Sequence, residues 1–238
     1  MDPVCASIRA VEMSGPHVEF RRPAMRRFAS GDGSGAGKRT MIRDVRICFV
    51  GDSFVNGVGD EAALGWAGRL CAAAAIRGVT VTCYNLGVRR DTTRDILLRW
   101  ERECALRLPV SCDGRMVLSA GVNDAAIENG RVRVDIEESS ANFRDILCKA
   151  RRYAALIVGP PPVSDDGWNE RIKALTAVMV READAQGVSY IDLFTPLAAD
   201  EAYRNEILKR DGAHPGSAGY TKMAQIVDSS PHWWFQAG

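Results

Sequence analysis

The chain has 238 residues, 46% of them hydrophobic and 26% charged, with a formal net charge of +1. These proportions suit a globular protein with one substantial core, and the near-neutral balance gives no basis for nucleic acid or another strongly anionic partner. No run reaches the roughly eighteen apolar residues of a membrane span, and the N-terminus lacks a signal peptide's apolar segment, so the expectation is a cytoplasmic protein without a membrane span. Seven cysteines, an odd number with no C-x-x-C pair, read as reduced, largely buried thiols rather than as a disulfide framework or a metal site.

Residues 1–40 carry seven Lys/Arg against four Asp/Glu and end in Ser30-Gly31-Asp32-Gly33-Ser34-Gly35-Ala36-Gly37. This is a basic, Gly/Ser-rich tail, flexible by composition, and residues 41–238 are expected to form one domain. Gly37-Lys38-Arg39-Thr40 is not a phosphate-binding loop: Arg39 stands where Ser or Thr is needed, Asp32 where the first glycine is needed, and no strand precedes it.

From Val45 onward strands and helices alternate. Val45–Val50 is an apolar strand ending in Gly51-Asp52-Ser53. Ala62–Arg77 is helical and stops at Gly78. Val79–Tyr84 is β-branched and reads as a second strand. Thr92–Leu108 is a helix with Ile96, Leu97, Trp100, Cys104 and Leu108 along one side, followed by Pro109. Arg115–Ser119 is the third strand, Ile136–Ala150 a helix, and Ala154–Val158 the fourth strand, stopped by Gly159-Pro160-Pro161-Pro162. Trp168–Gln186 is a helix closed by Gly187, and Val188–Leu193 is the fifth strand. Helices follow within Pro196–Leu208 and Ser217–Asp228. Continuous apolar strands separated by helices predict an α/β protein: a three-layer α/β/α sandwich on a five-stranded parallel sheet of order 2-1-3-4-5. Its ligand site belongs at the carboxyl ends of the strands.

Polar residues cluster there. Ser53 follows the first strand. Asn85-Leu86-Gly87-Val88-Arg89-Arg90-Asp91-Thr92 follows the second, Gly121-Val122-Asn123-Asp124 the third, and Asp211-Gly212-Ala213-His214-Pro215 lies beyond the fifth. Serine attacks a carbonyl only if a base removes its proton, and His214 can do so. Asp211, three residues earlier, can reach the far ring nitrogen through a tight turn and hold its tautomer. Asn123 and backbone N–H groups can receive the oxyanion. Taken singly, each has a plainer reading: Ser53 as a helix cap, His214 as a turn residue, Asn123 as a loop brace, and Asp52 and Asp124 as local hydrogen-bond acceptors. His17 and His232 read as structural or exposed.

Three of these blocks, Phe49-Val50-Gly51-Asp52-Ser53, Gly121-Val122-Asn123-Asp124 and Asp211-Gly212-Ala213-His214-Pro215, resemble in sequence and order the blocks of the SGNH, or GDSL, hydrolase family across about residues 43–230. The resemblance implies that family's flavodoxin-like fold and ester hydrolysis through an acyl-serine, without metal or organic cofactor. It casts Ser53 as nucleophile, His214 as base, Asp211 as its orienter, and Asn123 with the Ser53 N–H as oxyanion donors. The second block departs. Family members often carry a glycine five residues after the asparagine that ends strand 2; here Arg90 takes that place and Gly87 is the nearest glycine. Either backbone is a candidate donor, Arg90 on condition of a negative φ. The Arg90 side chain either points outward as a spectator or favours an anionic substrate; the outward orientation is the default.

The expected function is therefore a serine esterase acting on a small-molecule ester. An acyltransferase using the same acyl-enzyme and a catalytically silent α/β binding module are the alternatives. Asp52, Asp124, Pro161 and Trp168 are candidates for the substrate pocket. The Trp233-Trp234-Phe235 end is expected to pack on the domain's own surface, with an oligomer contact or a lid as alternatives.

Overall fold

The computed structural model describes residues 44–236; the basic segment 1–40, with Cys5 and His17, lies outside the described residues. The sheet is built from β1 (Val45–Gly51), β2 (Val81–Gly87), β3 (Asp113–Ser119), β6 (Ala154–Val158) and β7 (Ser189–Ile191), in the spatial order β2-β1-β3-β6-β7. All four pairings are parallel. This is the expected 2-1-3-4-5 winding. The register aligns Gly51 with Gly87 on one side and with Ser119 on the other, so three strands end level.

Both sheet faces are covered because alternate strand residues point to opposite sides. Ile47, Phe49 and Val117 pack with Trp66, Leu70, Met223 and Val227. The last four come from α2 (Gly65–Ile76) and α8 (Ser217–Asp228). Cys48, Val50 and Leu118 pack with Trp100, Phe143 and Met179 on the other face. Those side chains come from α3 (Thr93–Arg107), α4 (Ile136–Ala150) and α5 (Asp166–Gln186). No disulfide forms among the described residues. No helix among them is long and apolar enough to cross a membrane.

Two elements add to the predicted set. One is α1 (Ser53–Asn56), a single turn starting at Ser53. The other is a hairpin of β4 (Ile127–Glu128) and β5 (Arg131–Val132). Its turn is Asn129-Gly130, both with positive φ (51° and 76°), the backbone a tight hairpin demands. The helical stretch before residue 208 divides into α6 (Phe194–Ala199) and α7 (Glu201–Leu208) at Asp200, whose carboxylate caps α7 through Tyr203 N–H at 2.8 Å. The fifth strand is shorter than predicted.

The aromatic end folds back onto the domain. Trp233 is buried in the first core cluster. The Arg115 guanidinium lies 5.0 Å from the ring centre of Trp234 and 4.5 Å from that of Phe235. Arg115 is in the amino half of β3, so this packing is remote from the strand ends where the polar loops gather.

Candidate active site

The turn from β1 into α1 orients Ser53. Asp52 caps the helix, its Oδ1 accepting from Phe54 N–H at 2.9 Å. Ser53, only 5% exposed, is the first helical residue. A first-turn N–H has no partner within its own helix, and that of Ser53 therefore points out of the turn.

His214 arrives from the loop between α7 and α8. Asp211 Oδ1 accepts from the N–H groups of Ala213 (3.0 Å) and His214 (2.8 Å), closing a tight turn. The other oxygen, Oδ2, lies 2.6 Å from His214 Nδ1, and His214 Nε2 lies 2.7 Å from Ser53 Oγ. A carboxylate can only accept, so Nδ1 carries the hydrogen and Nε2 presents its lone pair to the serine. Burial acts to raise the Asp211 carboxyl, but hydrogen bonds from the His214 ring and from two backbone N–H groups outweigh it and hold it at about 2. Phe54 stacks on the imidazole, with 4.9 Å between ring centres.

The turn is anchored from both sides. Ser164 N–H donates to Gly212 O at 2.7 Å. On the other flank Ser217 Oγ donates to Asp60 at 2.6 Å and Ser217 N–H to Glu61 at 2.7 Å. Arg210 pairs with Glu61 at 2.6 Å. Asp60, itself paired with Arg69, is held well below the usual carboxylate range, chiefly by that guanidinium.

The second block differs from expectation twice. Gly87 is not available as an oxyanion donor: its N–H donates to Asn85 Oδ1 at 3.0 Å. It is glycine for space, since a Cβ there would lie 2.2 Å from Asn56 N. Arg90 has φ of 68°, not the negative value anticipated. This is the left-handed region a glycine occupies without strain. The Arg90 N–H has no acceptor among the described residues. The side chain is 69% exposed and its Nη2 meets Glu128 at 2.7 Å.

Asn123 stands between these loops. Its Nδ2 donates to Asp91 O at 3.0 Å and to Asp52 Oδ2 at 3.1 Å. Both amide hydrogens thus have protein acceptors here, so Asn123 braces the loops as it stands. Asp52 and Asp124, candidates for the substrate pocket, are instead buried and enclosed by donors. Burial pushes the Asp52 carboxyl up to about 7; Phe54 N–H opposes this, Asp124 and Asp91 add to it, and Asn123 opposes it. Asp124 is also raised by burial, against hydrogen bonds from Thr93 and Ser139. Pro161 is buried and is not among the residues that line the cavity beside Asp211.

Trp168 does border that cavity. The cavity, of about 730 Å³, opens beside the triad-like cluster, edged by Asn123, Asp211 and Ala213, with Arg90, Trp168 and Arg171 among its other walls. Trp168 is fixed by its Nε1, which donates to Val122 O at 2.8 Å. One further residue escaped the sequence reading. Arg99 pairs with Asp91 at 2.6 Å and donates to Gly51 O at 2.9 Å, clamping the second loop to the end of β1. Nothing in the spacing marks it, because its partners lie 8 and 48 residues away. The hairpin wall, in contrast, has a sequence signal in Asn129-Gly130.

A model of the GDSL-like lipase/acylhydrolase family matches residues 49–222. No curated protein matches the chain. Among solved structures, a lipase/acylhydrolase from Enterococcus faecalis is 25% identical, covering 77% of this chain and 93% of its own, with a TM-score of 0.65. The acetylxylan esterase Axe2 from Geobacillus stearothermophilus is 19% identical, covering 78% and 93%, with a TM-score of 0.61. LAE5, an alpha/beta hydrolase from the metagenome of Lake Arreo, Spain, is 19% identical, covering 78% and 94%, with a TM-score of 0.64. At that identity the last two likenesses speak to the fold.

Proposed function

The chain belongs to the GDSL-like lipase/acylhydrolase family and is a carboxylic ester hydrolase; from that premise we propose that Ser53 is its nucleophile, His214 its general base and acid, and Asp211 the residue that orients His214. The observation that carries the proposal is the continuous relay from Asp211 Oδ2 through both ring nitrogens to Ser53 Oγ, with contacts of 2.6 and 2.7 Å. Ser53 Oγ attacks the ester carbonyl as His214 Nε2 takes its proton. The tetrahedral adduct collapses, and the same proton passes to the departing alcohol. Water, deprotonated by His214, then releases the acid from the acyl-serine.

The oxyanion is received by the N–H of Ser53 and by that of Arg90, which is without a protein acceptor among the described residues although its φ is positive, so a negative φ is not the requirement. Asn123 supplies a third donor by giving up its longer contact, the one to Asp52. A single such donor lowers the barrier by about 3–4 kcal/mol.

The substrate is a short-chain ester of a polar alcohol. Phe54, Val122, Val163, Ile172 and Phe194 form a filled, buried cluster behind the imidazole, leaving little depth for an acyl chain. A smaller apolar pocket of about 290 Å³ under Val134, Ile136 and Leu175 borders none of Ser53, Asn123 and His214. The large cavity beside Asp211 presents charged side chains, Arg90, Glu128, Arg133 and Arg171 among them, and suits a polar alcohol. The acetyl ester named for Axe2 is consistent with this reading.

Ser53→Ala is expected to keep the far-UV spectrum and melting behaviour of the parent and to lose at least about 10³-fold in kcat for p-nitrophenyl acetate. Turnover at the parent rate would overturn the assignment.

A further inference from the structure

The cavity beside the relay is lined by three arginines and three carboxylates, but the pairing among them is uneven. Arg90, Arg133 and Arg171 border it; apart from Asp211, which serves His214, the carboxylates there are Glu128 and Asp165. Glu128 is shared. Its Oε1 meets Arg90 at 2.7 Å and its Oε2 meets Arg133 at 3.3 Å. Asp165 caps α5, its Oδ1 accepting from Trp168 N–H at 2.5 Å. Arg171 has no carboxylate partner among the described residues; its Nε donates to Ala125 O at 2.7 Å, leaving the terminal nitrogens unengaged.

The geometry holds these cations in place. Arg171 Nε is tied to the loop after β3. Arg133 Nη1 donates to Arg90 O at 2.8 Å, so it braces the left-handed residue from below. The hairpin carries Glu128 and fixes Arg90 at the mouth. A half-buried guanidinium without a counter-ion is costly, and its planar fork matches the paired oxygens of a carboxylate or phosphate.

We propose that this cavity recognises an anionic oxygen group, carboxylate or phosphate, on the alcohol side of the ester, with Arg171 as the main partner and Arg90 as the second. The inference rests on the esterase reading above and deepens it: the acyl part is short, and the alcohol part is negatively charged.

The test compares acetyl esters that differ only in the para group of a phenol: 4-acetoxybenzoate, 4-acetoxyphenyl phosphate and neutral 4-acetoxybenzamide. Each kcat/KM is divided by that ester's own rate with hydroxide, which removes leaving-group differences. The expected result is at least about a tenfold preference for one or both anionic esters at low salt, shrinking as sodium chloride is added. The stronger of the two anions identifies the group. In Arg171→Gln the anionic-to-neutral ratio should fall to within about twofold of one, and Arg171→Lys should restore part of it. A ratio cancels differences in folded fraction, and Arg90→Gly, which should also lower it, serves if Arg171→Gln does not fold. A ratio near one in the parent, or one unchanged by both the Arg171 and Arg90 substitutions, overturns the proposal. Should no ester be turned over and a fluorophosphonate fail to label Ser53, the esterase reading itself falls; equal turnover of all three removes the anion site alone.

Discussion

Asp52 has two oxygens and two tasks: one caps α1 beneath the serine, the other holds the Asn123 amide. It does this while almost fully buried, with its carboxyl raised to about 7. A carboxyl whose folded-state value exceeds its unfolded one, near 3.8, binds protons more tightly when folded. Its contribution to stability is therefore full below the unfolded value and is lost as pH rises toward 7. Asp52→Asn removes that loss. The melting temperature of the variant relative to the parent should be higher at pH 8 than at pH 5; an unchanged or reversed difference would show that Asp52 stays ionised throughout. At this scale the sequence is legible where a residue's partner is dictated by its own turn. Asp211 and His214 are three apart, and the turn that joins them follows from Asp-Gly chemistry. Gly87 was misread for a reason equally local: Asn85, two residues back, takes its N–H. Arg90 was misread because φ depends on the loop it closes, which Arg133 and the hairpin determine from 43 residues away.

Among the elements, the loop after β3 does the joining. Asp124 accepts from Thr93 N–H at 3.0 Å at the start of α3 and from Ser139 Oγ at 2.9 Å in α4, and also takes the Thr93 hydroxyl. Two helices are thus tied to the segment that carries Asn123. Asp124→Ala leaves these buried donors without an acceptor and should cost about 2–4 kcal/mol, read as a lower urea midpoint at constant m-value. A loss below about 0.5 kcal/mol would mean that water replaces the carboxylate. The long helices and sheet strands were readable from period and punctuation, and α4 and β6 keep the predicted bounds. The single turn α1 was not, since four residues carry no period. The hairpin was overlooked although Ile127-Glu128-Asn129-Gly130-Arg131-Val132 contains the strongest short-range turn signal known.

Across the whole molecule, topology was the most legible property. Apolar strands separated by helices leave few right-handed windings, and the sheet order follows from that restriction. Less legible was how the far end of the chain is held. Trp233 fills the first core cluster while Trp234 and Phe235 sit under Arg115, contacts that composition suggests but cannot aim. On the opposite rim, Ser217, Arg210 and Tyr220 fasten the His214 segment to Asp60, Glu61 and Val58. Ser53 and His214 are 161 residues apart. Closing so long a loop comes late in folding, because its entropy is lost before its contacts reward it. Hydrolysis should therefore report completion: after dilution from urea, activity should return with the slowest phase of tryptophan fluorescence, and activity that leads the fluorescence would contradict this order. During synthesis the same geometry keeps the emerging chain chemically silent, its serine without a base until the His214 segment and α8 have left the ribosome and docked.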